Sequence, residues 1–497
     1  MSTLEQDNRL DTTIPVLAVV RILGILVSCF SLTFLIPIGF GLANDEPSLV
    51  AFEEAFLVTL VLGVLIVGLT WWHRCELQPR DGFLLVAMVW LALPVFAAIP
   101  FYRFIPELNF AQAYFEAVSG LTTTGATVLV GLDDMPQSIL IWRAFMQWLG
   151  GMGILILAIA ILPLLGVGGM QIYRAEMAGP VKDTKLTPRI AETAKLLYSI
   201  YLLLSLICFF AYWIAGMSWF DALVHMGSTM SLGGLSSHDA SFAYFNNPVI
   251  EMIAVIFMLI AGVNFVMHAV ALKNMSLRVY WHDAQAKWFW FTALAGSVVV
   301  GLFLYFNQVY PSLSESMRHA LFNTVSIATT TGYATQDYGQ WPPFAGWFII
   351  FLSAFATSSG STGCGIKMIR LIVLVKQARR ELMRIIHPKL IDPLQIGGSV
   401  VSNQVIFAVL AYMLFYGATV MVASFSLLIS GMDPITAVSA TLASVNNVGP
   451  GLGEVGPAST FAGLTQFQLW VCSMTMLLGR LELLTLLVVL LPAFWKD

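Results

Sequence analysis

The chain has 497 residues, of which 58% are hydrophobic and only 10% are charged. Soluble domains carry about 25% charged residues, so this composition excludes a soluble protein and predicts a polytopic membrane protein with about ten spans. No stretch is polar enough to form a separate soluble domain, and any ATPase or nucleotide sensor must therefore belong to another chain.

Two apolar runs come first, residues 14–41 and 51–72, and both are long enough to cross a bilayer as tilted helices. The first run is longer than the core of a signal peptide and lacks a small-residue cleavage site, so we expect it to be retained as a helix. This extra helix pair makes up the predicted first domain, residues 1–75.

The rest of the chain repeats one module: a full-length apolar run, a short apolar run, a polar segment with glycine, and a second full-length run. The short runs cannot cross a bilayer core of about 30 Å, so each must enter and return as a half-helix. We predict an all-α fold in which four modules surround one pore, with bounds 76–190, 191–283, 284–398 and 399–497. The predicted half-helices are 110–119, 220–230, 317–328 and 435–445, and the predicted second spans are 139–165, 249–272, 344 onward and 466–494.

The polar stretches at residues 122–125, 231–234, 329–332 and 446–449 are called glycine segments here. Aligned on Gly125, Gly233, Gly332 and Gly449, they lie about 100 to 120 residues apart, which is typical of a repeated membrane module. A glycine with positive φ between small polar residues lets carbonyls turn toward a common axis, where they can replace the hydration shell of a cation. One such stretch alone indicates an ordinary turn, whereas four in equivalent places predict an ion filter. The predicted filter residues are Thr123, Thr124, Gly125, Ser231, Leu232, Gly233, Thr330, Thr331, Gly332, Asn447, Val448 and Gly449.

The second span of the third module is interrupted by nine small or polar residues, 357–365. Irregular backbone at membrane depth is tolerated only inside protein or beside a water-filled cavity, so we expect this loop to face the ion path. A simple helix kink is the alternative, but it would need fewer such residues. Arg480 falls near the middle of the last predicted span, where an arginine needs a partner, a cavity or a route to the surface.

Charge placement predicts the topology. Most of the 24 Lys and Arg lie at span ends on one side, which is therefore expected to be cytoplasmic. The opposite loops carry acids such as Asp133 and Asp239, with Arg103, Arg143 and Arg318 as exceptions. Ten spans would leave both termini in the cytoplasm and all four glycine segments near the outer side.

Six motifs stand out along the chain: QWLGGMG at 147–153, LLGVGGM at 164–170, KLTPRI at 185–190, TTTGY at 329–333, NNVGPG at 446–451 and GRLE at 479–482. Together they resemble the TrkH family of bacterial potassium uptake proteins. The resemblance covers nearly the whole chain, including the N-terminal helix pair. It implies a homodimer in the bacterial inner membrane, in which each subunit has its own K⁺ pore and is regulated by a cytosolic nucleotide-binding partner of the TrkA type.

The resemblance also implies roles for particular residues. Gly125, Gly233, Gly332 and Gly449 would form the filter ring that binds K⁺, and Arg480 would face an intramembrane gating loop. The implied gate residues are Ser359, Gly360, Ser361, Thr362, Gly363, Gly365 and Arg480. Two positions depart from the usual pattern of the family, which has Thr where this chain has Leu232 and Phe where it has Leu235. No covalent cofactor and no nucleic-acid partner are implied, and a nucleotide would act only through the partner chain.

Potassium uptake is therefore the predicted function, and a symporter that couples K⁺ to H⁺ or Na⁺ is the alternative that the sequence leaves open. A voltage-gated channel is disfavoured because no span carries arginine at every third position. A membrane enzyme is the hypothesis from a different class, but the sequence offers no nucleophile with a base beside it. We expect a transport protein with no catalytic residues.

Overall fold

A computed structural model describes residues 15–73, 79–160, 186–390, 392–397 and 399–495. Regular structure there is almost entirely helical, which confirms the predicted fold class; the strands within these ranges are the two-residue pair Gln395–Ile396 and Ser399–Val400. Six of the described helices are long and apolar enough to cross a membrane, or up to eight if bent helix pairs are counted as spans. The predicted residues 161–165 of one span lie outside the described residues, and the count of ten spans stays a prediction.

The chain divides into two compact units. The first consists of the described residues within Met1–Tyr114, Pro136–Trp142 and Leu481–Asp497. Its helices are Pro15–Ser31, Leu35–Ala43, Leu49–Leu69, Pro79–Ala97 and Ile99–Phe104, with Leu484–Leu490 near the C-terminus.

Small residues let the first two long helices of this unit pack closely. A Cβ on Gly24 would lie within 3.0 Å of the Ile66 side chain, and a Cβ on Gly63 would lie equally close to Ser28. Close backbone approach through glycine is how membrane helices gain packing energy without a hydrophobic drive between them.

The second unit, Phe115–Met135 and Arg143–Arg480, contains all four glycine segments. Its long first helices are Leu186–Ile214, Ala284–Phe306 and Asn403–Ile429. The observed half-helices 1 to 4 are Phe110–Leu121, Trp219–Met230, Leu313–Ala328 and Pro434–Val445. The longest has 16 residues, or about 24 Å at 1.5 Å per residue, so none crosses a bilayer core of about 30 Å.

Each half-helix begins at a polar cap. Ser218 accepts a hydrogen bond from the Asp221 N–H, Ser312 from Glu315 and Asp433 from Ile435 and Thr436. In the first repeat the Asn109 side chain accepts from the Gln112 N–H at 3.0 Å. These caps satisfy amide donors that the first helical turn leaves unpaired, and they fix where each half-helix starts.

The second helices of the repeats follow four different courses. The first is Gln137–Ala160. In the second repeat, the predicted span over residues 249–272 is not one continuous helix: Pro248–Ala261 and Phe265–Asn274 meet at 94°. The Asn264 side chain accepts a hydrogen bond from the Val266 N–H and so starts a new helix at the break.

In the third repeat the helix Pro343–Ser353 ends, residues 354–367 are irregular, and the helix Met368–Ile386 follows, so the predicted interruption is present. In the fourth, the predicted span over residues 466–494 is likewise not one continuous helix. The helix Gln466–Arg480 stops at Arg480, and Glu482 and Leu483 take positive φ values of 53° and 55°, which no continuous right-handed helix allows. The remaining described α-helix of the second unit is the short Arg278–His282, and the other helical turns there are of the 3₁₀ type.

Candidate filter and gate

The four glycine segments share one backbone hydrogen-bond pattern. Each runs directly on from the C-terminal end of a half-helix, and its third residue donates an N–H bond back to a carbonyl in the last turns. These bonds join Thr124 to Ser119, Gly233 to Ser228, Thr331 to Ser326 and Val448 to Ala443, at 2.8–2.9 Å. The structure therefore makes Thr124, Gly233, Thr331 and Val448 equivalent positions.

Positive φ values occur at the second and fourth residues of every segment. The pairs are Thr123 and Gly125 (54° and 82°), Leu232 and Gly234 (56° and 76°), Thr330 and Gly332 (63° and 90°), and Asn447 and Gly449 (52° and 97°). Left-handed residues that alternate with right-handed or extended ones direct successive carbonyls to one side of the chain and successive N–H groups to the other.

The predicted alignment of the four glycine segments is wrong by one residue in repeat 2. Gly234, and not Gly233, matches Gly125, Gly332 and Gly449, because Gly233 is not among the residues with positive φ. Where two glycines are adjacent, the sequence does not tell which one takes the left-handed conformation. In the corrected alignment, Leu232 is equivalent to Thr123, Thr330 and Asn447.

The four segments close into a ring. A Cβ built on Gly125 would lie within 3.0 Å of the Gly233 carbonyl oxygen, closer than real Cβ atoms come. The same holds around the ring for Gly234 against Thr331, for Gly332 against Val448, and for Gly449 against Thr124. Each ring glycine thus faces the carbonyl that precedes the ring glycine of the next repeat. Only glycine combines this backbone conformation with so close an approach.

The half-helices direct partial negative charge to this ring. Their C-terminal residues Leu121, Met230, Ala328 and Val445 immediately precede the glycine segments. A helix C-terminus carries about half an elementary negative charge, so four of them favour a cation at the centre. Cations are further favoured because the segments are buried and their dipoles are fixed before an ion arrives.

Side chains of the segments hydrogen-bond mainly to protein. Thr124 Oγ1 lies 2.7 Å from Thr122 Oγ1, and Thr331 Oγ1 lies 2.8 Å from Thr329 Oγ1. Asn447 joins repeat 4 to repeat 1, because its Nδ2 donates to Thr124 Oγ1 at 2.9 Å. The side chains of Thr122, Thr124, Thr329, Thr331 and Asn447 therefore brace the ring.

A buried ion pair supports the loops beyond the ring. Arg143 Nε donates to Glu116 Oε1 at 2.8 Å, and both side chains are at most 1% exposed. The same guanidinium donates to the Ser236 carbonyl and to Thr127 Oγ1, each at 3.0 Å. With its charge paired and its donors occupied, Arg143 ties repeat 1 to repeat 2.

A cavity of about 300 Å³ opens beside the ring and is lined by Gly125, Gly234 and Gly332. His238 and Asp239 also line it. His238 Nδ1 bonds the Asp133 carboxylate, its Nε2 lies 3.2 Å from Asp221 Oδ1, and its ring stacks on Tyr244. Burial alone would lower the pKa of His238, but the carboxylates of Asp221 and Asp133 outweigh it and raise that pKa.

Arg480 connects the irregular segment of repeat 3 to the second helix of repeat 1. Its Nη1 donates to the Thr362 carbonyl at 3.1 Å and lies 3.0 Å from Cys364 Sγ, and its Nη2 donates to the Gly150 carbonyl at 2.7 Å. The side chain is fully buried. Arg480 and the predicted loop are thus brought together, through the Thr362 carbonyl and the Cys364 sulfur.

The other predicted gate residues hold the irregular segment against repeat 2 and against the first helix of its own repeat. Ser359 N–H donates to Gln285 Oε1 at 2.9 Å, the Gly360 carbonyl accepts from Phe265 at 3.0 Å, and Thr362 Oγ1 donates to the Met230 carbonyl at 3.1 Å. Ser361 Oγ donates within the loop to Ser358, Gly363 lies near Leu232, and Gly365 has a φ of 84°.

The fold and this site define a class: helical membrane proteins in which half-helices from four repeats present their loops to one ring. A family model described as TrkH, cation transport protein, matches residues 52–496. The chain belongs to the TrkH family.

Similar proteins agree with this assignment. A Trk system potassium uptake protein TrkH of Vibrio parahaemolyticus is 44% identical over 97% of this chain and 99% of its own length. The protein of the same name from Escherichia coli K12 is 42% identical, and TrkG of that strain is 36% identical. The crystal structure of the potassium transporter TrkH from Vibrio parahaemolyticus superposes with a TM-score of 0.90 at 41% identity, covering 97% of this chain and all of the other.

Sequence reasoning missed several residues that the site uses. Gln147 hydrogen-bonds Gly233, Glu116 pairs with Arg143, and Gly234 occupies the ring. Gly234 could have been found by aligning the ends of the half-helices instead of single glycines. Glu116, an acid inside an apolar half-helix, was also a signal because a charge there needs a partner.

Proposed function

We propose that this chain is the pore-forming subunit of a potassium uptake system of the bacterial inner membrane. The observation that carries the proposal is the closed ring, in which Gly125, Gly234, Gly332 and Gly449 each face the carbonyl of the next repeat. A ring of carbonyls at the C-terminal ends of four half-helices suits a partly dehydrated monovalent cation. The names of the relatives support potassium as that cation.

The filter residues act through their backbones. Thr123, Thr124, Gly125 and their counterparts in the other repeats supply carbonyls, while the side-chain hydroxyls of Thr124 and Thr331 bond to neighbouring threonines. Each segment has only one ring glycine, so the column of ion sites is short. We expect the pore to prefer K⁺ and Rb⁺ over Na⁺ and Li⁺ by a modest factor.

Arg480 and residues 359–365 form the gate of this proposed pore. A buried arginine near the ion path repels cations, and its bonds to the Thr362 and Gly150 carbonyls hold the loop in place. Opening the path requires these bonds to break together. A cytosolic nucleotide-binding partner of the TrkA type would supply that free energy, and a second copy of the chain would complete a homodimer.

The membrane potential supplies the driving force. Each 100 mV of inside-negative potential is worth about 2.3 kcal/mol per monovalent cation, or roughly fortyfold accumulation. ATP hydrolysis by this chain is therefore unnecessary. Coupling of K⁺ to H⁺ or Na⁺ is the second candidate mechanism, and uptake measured without ion gradients separates the two.

The test is ⁸⁶Rb⁺ uptake into proteoliposomes that contain only this chain, loaded with K⁺ and held at a defined potential without pH or Na⁺ gradients. We expect uptake that follows the potential and is inhibited by external K⁺ more than by Na⁺. Uptake that requires an imposed H⁺ or Na⁺ gradient would favour symport. No uptake above protein-free vesicles at any potential, with or without the cytosolic partner, would contradict the proposal.

A further inference from the structure

Gln147 is a buried side chain in the second helix of repeat 1 that reaches the glycine segment of repeat 2. Its Nε2 donates to the Gly233 carbonyl at 2.6 Å, and its Oε1 accepts from the Leu235 N–H at 3.1 Å. Only one orientation of the carboxamide satisfies both bonds, so the side chain is held at both ends. The two bonds span the ring glycine, Gly234.

Gly233 has a different reason to be glycine from the ring glycines. Its φ is not positive, so the backbone alone would accept another residue. A Cβ there would, however, lie within 3.0 Å of three atoms of the Gln147 carboxamide. The equivalent residues in the other repeats are Thr124, Thr331 and Val448, all with branched side chains. In repeat 2, the space that a branched side chain occupies in the other repeats is filled by the Gln147 side chain of repeat 1.

The carbonyl of Gly233 therefore differs from the other three carbonyls of the ring. Among the hydrogen bonds of the described residues, no side chain donates to the carbonyls of Thr124, Thr331 or Val448, whereas Gly233 accepts from Gln147. A carbonyl that shares its electron pairs with an amide is a weaker ligand for a cation, and it is also fixed in direction. Both effects bear on the choice between ions of different size and hydration energy.

We propose that Gln147 is a positioning residue that fixes the repeat 2 quarter of the filter and sets the preference of the pore for K⁺ over Na⁺. The inference rests on the proposed function, because it concerns how the same ring discriminates between cations. Gln147 does not touch the ion and acts through the Gly233 carbonyl. A merely structural role would change the yield of folded protein and leave the ion preference unchanged.

The test compares wild type with Gln147→Met, which keeps the length of the side chain and removes both hydrogen-bonding groups. Potential-driven ⁸⁶Rb⁺ uptake is measured in proteoliposomes against competing K⁺ and Na⁺. We expect Gln147→Met to retain Rb⁺ uptake and to change the ratio of K⁺ to Na⁺ inhibition constants by about three- to tenfold, the effect of one neutral hydrogen bond. An unchanged ratio in folded, active Gln147→Met protein would overturn the inference.

A second pair of variants keeps the test decisive if Gln147→Met does not fold. Gly233→Ala crowds the Gln147 carboxamide, so the ratio of K⁺ to Na⁺ inhibition constants should also change in this variant. In the double variant Gly233→Ala with Gln147→Ala, the crowding is relieved, and this ratio should return toward that of Gln147→Ala alone. Additive effects of the two changes would overturn the inference. Failure of the proposed function is distinguishable, since it would appear as absent Rb⁺ uptake in the wild-type chain itself.

Discussion

The glycine segments and the second helices come from the same four repeats, yet only the glycine segments are alike. All four segments share one hydrogen-bond pattern and one alternation of φ. The second helices run on past Gly150, turn at residues 262–264, open into an irregular segment at 354–367, or end at Arg480. The last three of these places, where the helix is interrupted or ends, are called the break positions here.

The difference follows from what each region has to satisfy. The ring closes because each glycine segment contacts the next in the same geometry. A change in one segment therefore disturbs its contact with the next. A break position has no such condition, and the repeats could diverge there. For example, the irregular segment of repeat 3 offers the carbonyl of Thr362, and repeat 4 supplies Arg480, which donates to it.

The largest expected effect comes from placing a methyl group in the ring. Gly332→Ala should reduce ⁸⁶Rb⁺ uptake at least about tenfold, or 1.4 kcal/mol, because the Cβ would overlap the Val448 carbonyl. Gly431→Ala is the matched control: its φ of 89° equals the 90° of Gly332 within a degree, but no atom lies within 4 Å of the added Cβ. The control should lose about 1 kcal/mol of stability and keep its uptake. Equal loss of uptake in both variants would mean that backbone strain, and not the ring contact, matters.

A second prediction concerns the break positions. Arg480→Ala should raise ⁸⁶Rb⁺ flux without the cytosolic partner by roughly tenfold, since it removes the bonds to the Thr362 and Gly150 carbonyls and the charge together. Arg480→Lys keeps the charge but cannot bridge two carbonyls with a planar fork, so we expect an intermediate flux. Unchanged flux in Arg480→Ala would assign the residue a packing role only.

A third prediction probes the contact between the two regions. Leu232 Cδ1 lies 3.2 Å from where a Cβ on Gly363 would be, and Leu232 corresponds to Thr123 in repeat 1. Leu232→Thr should change the ratio of K⁺ to Na⁺ inhibition constants by less than about tenfold, or 1.4 kcal/mol, because the carbonyls stay in place. Thr123→Val, which replaces a hydroxyl by a methyl group at the equivalent position of repeat 1, should have a similarly small effect. A strong gain of selectivity in Leu232→Thr would indicate that side-chain hydroxyls choose the ion.

The smallest effect is expected outside both regions, at His238. The pKa of His238 in the folded protein is raised above the ordinary value of about 6.5. The contacts of the protonated imidazole with Asp133 and Asp221 therefore stabilise the fold fully below about pH 6.5. The stabilisation is lost as pH rises through the raised pKa. We expect the Tm in detergent to fall by about 1 °C over this pH range in the wild type, and this fall to be absent in His238→Gln. His282→Gln, at an exposed histidine, should keep the wild-type pH profile, and identical profiles in all three proteins would contradict the prediction.

The sequence by itself determined the features that follow from length and local polarity. A run too short to cross a bilayer has to be a half-helix, and nine small or polar residues in a span have to interrupt it. The half-helices, the glycine segments and the irregular segment near 357–365 could therefore be located from the order of residues alone. Arg480 could be singled out because a charge in an apolar helix is costly.

Only the tertiary structure decided which neighbours these features meet. Gly233 and Gly234 are the same residue type, and the choice of ring glycine depends on a carbonyl in another repeat. The breaks near Asn264 and after Arg480 lie in sequence with only a few polar residues, because a broken helix buried in protein needs little more polarity than an intact one. The bond from Gln147 to Gly233 joins residues far apart in the chain, and its physical cause, space for a carboxamide where a Cβ is missing, exists only once the repeats have closed into a ring.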